Sequence, residues 1–234
     1  EVVAHRFGIA REAMDEYALG SHQRLSAAFD AGHMNDEVTH LYDTRGRVYF
    51  EDTGLRRDTD AKQLARLKPV FDRKYGSVTS GNSSQVTDGA AMLVVASEQA
   101  VRQYDLPVLG ELLDDAWAGV DPGQMGLGPV HAVAKLLARN GLTMRDLQLM
   151  ELNEAFAAQV IACQSAWASD EYCKTELGLD GALGAIDESK LNVDGGGVAL
   201  GHPVGASGAR ITLHLLQALK ARGGGQGVAT LCIG

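Results

Sequence analysis

The sequence predicts an α/β fold in which helices layer against a sheet. Short apolar runs of strand type, at 89–97, 108–119, 147–152 and 227–233, alternate with segments of helical apolar spacing at 98–104, 130–139, 154–168 and 209–222. Clusters of Gly, Pro, Ser and Asn separate these runs and mark turns. The chain has 234 residues, enough to bury a core of one or two domains, and it carries no short-period repeat or low-complexity tract.

Residues 1–7 read as helix interior. Between 11 and 31, Met14, Tyr17, Ala18, Leu25, Ala28 and Phe29 recur at roughly helical spacing, and Gly32 supplies a stop. Residues 33–60 are polar and predict loops with short strands. A short helix within 61–75 is broken at Pro69, and 78–88 is a loop rich in Ser, Thr, Asn and Gly. The run 89–97 predicts a buried strand, and 108–119 predicts another after Pro107. A Gly/Pro loop at 121–129 leads to the helix 130–139. The strand 147–152 then reaches Asn153, placed to cap a helix over 154–168. Residues 169–190 are polar and partly helical, and a glycine loop, a helix over 209–222 and a strand over 227–233 close the chain.

The chain is 45% hydrophobic and 22% charged, with a formal net charge of -9. That acidic balance argues against nonspecific nucleic-acid binding, which needs a basic surface. Arg56, Arg57, Arg66, Lys68, Arg73 and Lys74 lie close in sequence. They form either a solvated face or a local patch for an anionic ligand. Cys163, Cys173 and Cys232 form no CxxC pair, which argues against a disulfide framework and a zinc site and for a reducing compartment. No apolar run has the length of a membrane span. Glu1 in place of Met, helix-like residues at once, and a strand-like run reaching Gly234 predict a piece of a longer protein.

The densest chemical signal is NVDGGGVALGHPVGASG at 192–208, where six of 17 residues are glycine and one is His202. Gly195, Gly196, Gly197 and Gly201 leave little side-chain bulk near the imidazole, so a substrate can reach it. A phosphate loop is the weaker reading, because no Gly-Lys-Ser/Thr is present and the spacing is not GxGxxG after a first strand. Cys232 lies in an apolar run bounded by small residues. It is either a buried thiol or one that works with a nearby base. Asn153 is either a helix cap or an amide aimed at a carbonyl oxygen or at a water that holds one. The segment GNSSQVTDG at 81–89 is either a plain polar loop or one whose hydroxyls bind ligand amides. Cys163 and Cys173 read as structural.

Four motifs stand in one order: GNSSQVTDGAA (81–91), NEAFA (153–157), NVDGGGVALGHPVGASGAR (192–210) and GVATLCIG (227–234). With FGIARE at 7–12, SHQR at 21–24 and MGLGP at 125–129, the chain resembles the thiolase family. These enzymes cleave 3-ketoacyl-CoA with coenzyme A or join two acetyl-CoA units. The resemblance covers essentially the whole chain. It implies the later part of a thiolase-like layered α-β-α-β-α fold. Residues 1–86 would be the end of the loop domain with a CoA-binding segment. Residues 87–105 would be the last strand and helix of the N-terminal domain, and 106–234 the C-terminal domain, truncated at its end.

By that resemblance, His202 is the base that activates a nucleophilic cysteine and helps hold the thioester oxygen. Cys232 is the second acid/base, exchanging a proton with the substrate α-carbon or the incoming CoA thiol. Asn153 positions a water that completes an oxyanion hole with His202, and the Gly234 N–H contributes to a second hole. Ser84 contacts the pantetheine arm, Arg56 the nucleotide end of CoA, and Phe156 and Ala157 line the channel. Coenzyme A is a cosubstrate, with no permanently bound cofactor and no metal.

The family's acyl-accepting cysteine lies upstream of the matching region, and neither Cys163 nor Cys173 sits in its motif. The chain alone is therefore expected to be inactive. The length of 158–191 resembles the thiolase subunits of fatty-acid β-oxidation complexes. The expected reaction is cleavage of 3-ketoacyl-CoA to acetyl-CoA and a shortened acyl-CoA through an acyl-cysteine, or the reverse Claisen condensation. The alternatives are an acetoacetyl-CoA-specific biosynthetic thiolase and a non-catalytic thiolase-like protein that binds CoA or lipid. A decarboxylating ketoacyl synthase would carry histidine where Cys232 stands. The resemblance also implies acyl-CoA substrates, a homodimer or homotetramer or a β-oxidation complex, and a bacterial cytoplasm ahead of a mitochondrion.

Overall fold

A computed structural model of the chain describes residues 1–232. Its first helices are α1 (Val2–Arg6) and α2 (Arg11–Ala31). Helix α2 buries Met14, Ala18, Leu25 and Ala28 and ends where Gly32 turns left-handed at φ 77. The polar excursion holds an antiparallel hairpin of β1 (Leu41–Tyr42) and β2 (Val48–Tyr49), then α3 (Ala61–Ala65) capped by the Asp60 carboxylate. Next come α4 (Glu98–Tyr104), a 3-10 turn (Pro122–Leu127) and α5 (Gly128–Asn140). The last part holds β3 (Leu149–Leu152), α6 (Ala157–Ala168), α7 (Asp170–Glu176), α8 (Gly197–Leu200), α9 (Val204–Ala221) and β4 (Gly227–Thr230).

Strands β3 and β4 pair in parallel, with Leu149 opposite Gly227 and Leu152 opposite Thr230. Successive strand residues face opposite sides. Leu149 packs with Leu215, Ala218 and Leu219 of α9. Met150 and Leu152 join the main core with Val130, Leu137, Val160 and Trp167 of α5 and α6. The pair is thus layered between α9 on one side and α5 with α6 on the other, an α/β arrangement as expected. Helix α6 is buried along most of its length, and its Trp167 indole N–H donates to Val130 O at 3.3 Å.

Two expected strands do not form. Residues 89–97 and 108–119 run without strand pairing. Val94 is 84% exposed, and Val95, Leu112, Leu113 and Trp117 also lie open. An apolar run becomes a strand only where a neighbour takes up its backbone hydrogen-bonding groups. Among the described residues no strand pairs with either segment.

Two helices begin elsewhere than the sequence predicts. Helix α6 starts at Ala157 with Phe156 at its N-cap, so Asn153 caps nothing. Helix α9 starts at Val204, ahead of the expected 209. Pro203 fixes φ at -69 there, and its carbonyl accepts the Ala206 and Ser207 N–H groups at 2.8 and 3.0 Å. The expected oxyanion donor Gly234 lies outside the described residues, with Ile233. Among the described residues, no helix is long and apolar enough to cross a membrane.

Candidate active site

The glycine loop is fastened to the end of β3 by two side chains. Asn192 acts as a short strand edge: its Oδ1 accepts Leu152 N–H at 2.8 Å, and its Nδ2 donates to Leu152 O at 2.8 Å. Glu154 is fully buried, and its carboxylate accepts Tyr17 OH at 2.8 Å, Ser21 OH at 2.6 Å, Asn192 Nδ2 at 3.2 Å and Val198 N–H at 3.2 Å. The Arg24 guanidinium lies 3.8 Å away. A buried carboxylate with this many donors is satisfied rather than reactive. It joins α2, the loop and β3.

The loop then passes close to backbone. A Cβ on Gly197 would lie 3.0 Å from Glu154 O and 3.3 Å from Asn153 Oδ1, so the loop runs directly over Asn153. Asn153 donates its own N–H to Thr230 O at 2.9 Å, two residues before Cys232. Its side chain is different. The residue is 1% exposed, yet among the described residues neither Nδ2 nor Oδ1 has a hydrogen-bond partner. An unpaired buried polar atom costs roughly 1–3 kcal/mol, so such a group points to a ligand or a bound water.

His202 is half-buried and held at both ends. Its N–H donates to Gln85 O at 3.0 Å, which ties it to the 81–89 loop. Its Nδ1 lies 2.6 Å from Ser207 Oγ, which also lies 3.2 Å from Pro203 O. The hydroxyl can accept from Nδ1–H or donate to Nδ1, and in either tautomer the contact holds the ring in place. Burial, helped by the nearby Arg210 charge, lowers the His202 pKa below its ordinary value of 6.5. The ring is therefore a neutral base near pH 7. Beside it opens a cleft of about 390 Å³ lined by Thr87, Asp88, Gly89, Pro203, Val204 and Gly205.

Cys232 follows β4 and is 4% exposed; burial pushes its thiol up to about 11. It is a protonated thiol near neutrality, suited to donate a proton rather than to stand as a thiolate. Cys163 and Cys173 are fully buried, and burial raises Cys163 strongly. Their structural reading agrees with this placement.

The remaining sequence-predicted residues are scattered around this frame. Ser84 is half-buried and donates its N–H to Ala155 O at 2.9 Å, beside Phe156. Phe156 is half-buried and meets Phe71 edge-on with ring centroids 6.3 Å apart. Ala157 packs inward with Ala4 and Met14 and offers no open surface. Arg56 is exposed, its N–H donating to His22 Nδ1 at 3.2 Å. Arg57 is already engaged by Asp30 and Glu51, each at 2.8 Å. The sequence reading missed Glu154, Ser207 and Asn192. A charged residue inside the apolar run LMELNEAFAA is the signal that could have exposed Glu154.

The model of the thiolase N-terminal domain matches residues 1–99, and that of the thiolase C-terminal domain matches 106–234. The chain belongs to the thiolase family. A 3-ketoacyl-CoA thiolase of Yersinia pestis (strain Pestoides F) is 43% identical over 234 residues, covering 99% of this chain and 54% of that one. The 3-ketoacyl-CoA thiolase of Yersinia pseudotuberculosis serotype O:3 (strain YPIII) is equally similar, at 43%. Among solved thiolase structures, human mitochondrial 3-ketoacyl-CoA thiolase aligns with a TM-score of 0.83 at 39% identity, covering 99% of this chain and 55% of that one. The Bacillus anthracis acetyl-CoA acetyltransferase aligns with a TM-score of 0.85 at 40% identity, with the same coverage of 99% and 55%. The human enzyme has also been solved in complex with CoA, and that thiolase structure aligns with a TM-score of 0.84 at 40% identity, covering 99% of this chain and 54% of that one. The chain spans about half the length of the curated thiolases it matches.

Proposed function

We propose that this chain supplies the acid–base half of a 3-ketoacyl-CoA thiolase. The observation that carries the reading is the buried Asn153 amide, without a partner among the described residues on either polar atom and lying directly under the glycine loop that leads to His202. His202 Nε2 takes the proton of an acyl-accepting thiol outside this chain. That thiolate attacks C3 of the 3-ketoacyl-CoA, and the C2–C3 bond breaks. The enolate oxygen is held by His202 and by a water on Asn153. Cys232 gives its proton to C2, releasing acetyl-CoA. It then takes the proton of an incoming CoA thiol, which attacks the acyl-cysteine and leaves with the shortened acyl group. Each proton donor returns to its starting state.

Ser84 and Phe156 would contact the pantetheine arm, Arg56 the nucleotide end, and the Gly234 N–H the acyl oxygen. Ala157 supports that wall from the core. The parts at 1–86, 87–105 and 106–234 belong to the same reading, as do a dimeric or tetrameric assembly, a role in fatty-acid β-oxidation and a bacterial cytoplasm. Similarity to an acetyl-CoA acetyltransferase at 40% identity supports acetoacetyl-CoA as a rival substrate.

The test is a thiolysis assay on the encoded protein across 3-ketoacyl-CoA chain lengths. Turnover of long chains supports the degradative reading, and turnover of acetoacetyl-CoA alone supports the rival. No turnover with any chain length overturns both. Residues 1–234 alone are expected to show none, because a thiol acceptor is lacking.

A further inference from the structure

A second cluster of ionisable groups lies on the α9 side of β3. His214 sits almost three turns into α9, with its side chain 4% exposed. Its Nδ1 is 2.7 Å from Glu37 Oε1, in the segment that follows α2. Its Nε2 faces Asp194 Oδ2 at 3.4 Å and Glu151 Oε1 at 3.9 Å. Asp194 also faces His33 Nδ1 at 2.9 Å. The Glu37, Glu151 and Asp194 side chains are 6%, 3% and 7% exposed. Arg210, one turn back on α9, adds positive charge near Glu151, and Glu154 adds negative charge. Among the described residues, no such group is arranged to hold a metal ion.

Nδ1 is hydrogen-bonded to Glu37, while Nε2 lies among the Asp194 and Glu151 oxygens without hydrogen-bond geometry among the described residues, so these three carboxylates favour the ring as an imidazolium through its charge. Each carboxylate belongs to a different support of the site. Asp194 lies in the glycine loop eight residues before His202, and Glu151 stands two residues before Asn153 on β3. We propose that the His214 imidazolium is a positioning residue, which clamps the glycine loop and β3 to α9 and so fixes His202 relative to Asn153. Removing a charge from among buried carboxylates leaves them uncompensated, and the loop is then free to shift. A shift of about 1 Å at a reacting group is enough to cost on the order of a hundredfold in rate.

The kinetic arm of the test rests on the thiolase reading, and the spectroscopic arm does not. Histidine-selective ¹⁵N labelling of the encoded protein is expected to show His214 doubly protonated at pH 8. His214→Asn keeps an amide donor and removes the charge. It is expected to move the His202 ring signals and to lower kcat at least about tenfold, with KM for CoA changed less than about twofold. Adding Asp194→Asn removes a charge that His214 balances, and kcat is expected to recover to within about threefold of the unaltered protein. A singly protonated His214, unmoved His202 signals, or a double variant no faster than the single one overturns the proposal. If His214→Asn does not fold, Glu37→Gln takes its place, with a smaller change expected in the same signals. If the unaltered protein shows no thiolysis, the functional reading fails, while the ring signals still decide the positioning role.

Discussion

Ser207 holds the His202 ring through its Nδ1 side. With the hydroxyl proton turned to Pro203 O, the Ser207 oxygen accepts from Nδ1–H and Nε2 is the base that the thiolase reading requires. Ser207→Ala in the encoded protein is expected to lower kcat about 10- to 100-fold while leaving KM nearly unchanged, since general-base steps contribute on this scale. Stopped-flow thiolysis measures it, and an unchanged kcat contradicts the assignment. The His202 pKa is lowered from 6.5, chiefly by burial. The base form therefore predominates above that value, and activity falls as pH drops below 6.5 through the folded pKa. An acid limb centred above pH 7 excludes His202 as the base. Asn153 offers a sharper test, because its buried amide has no partner among the described residues. A buried amide that serves a substrate-binding water rather than the fold contributes little to folding stability. Asn153→Ala is thus expected to keep or raise the unfolding midpoint in urea while cutting kcat about a hundredfold. A clear loss of stability marks Asn153 as structural instead.

The elements that could be read from sequence are those set by neighbours in the chain. Helix α2 declares itself through apolar spacing and Gly32, and the glycine loop through its composition. The segments 89–97 and 108–119 carry the same apolar composition as strands but stay unpaired. Pairing is a property of a distant partner, which local sequence does not encode. The site shows the same division. His202 and Asn153 stand out because each sits in a conspicuous local motif. The partners of Glu154 do not, since Tyr17 and Ser21 are 137 and 133 residues away. The glycine loop depends on that distant contact. Gly195 has φ 79, and a Cβ there would lie 2.6 Å from Ser21 O and 2.8 Å from Leu25 Cβ on α2. A left-handed non-glycine residue costs on the order of 1–3 kcal/mol, and the clash adds to it. Gly195→Ala is therefore expected to destabilise by at least about 2 kcal/mol in urea unfolding, from the strain and overpacking together. A loss below about 0.5 kcal/mol, the range of an ordinary surface change, shows that α2 and the loop are not held in contact.

Over the whole molecule, the buried ions around His214 link protonation to folding. Burial disfavours the His214 charge, but the contacts with Asp194, Glu37 and Glu151 prevail and raise its pKa to about 10. This stabilisation is complete below the ordinary 6.5 and fades as pH rises through about 10. Asp194 runs the other way. Burial opposes its ionisation, yet His214 and His33 hold its pKa down to about 2, so its contribution is complete above 3.8 and is lost as pH falls through about 2. Glu151 is raised to about 7, first by burial, with His214 and Arg210 opposing. Between its ordinary 4.5 and about 7 the folded protein holds a proton that the unfolded chain has released, so stability falls with rising pH in that window. The cluster as a whole favours the folded state most between about pH 4 and 5 and weakens it stepwise up to about pH 10. Urea unfolding of the encoded protein at half-unit pH steps measures the profile. Glu151→Gln is expected to remove the decline between 4.5 and 7 and leave the later one, because the glutamine cannot titrate. Glu37→Gln weakens the hold on the His214 proton and is expected to move the later decline to lower pH. If the Glu151→Gln profile keeps the same slope between 4.5 and 7, the proton held at neutral pH belongs to a different group, and the coupling between β3 and α9 does not run through Glu151.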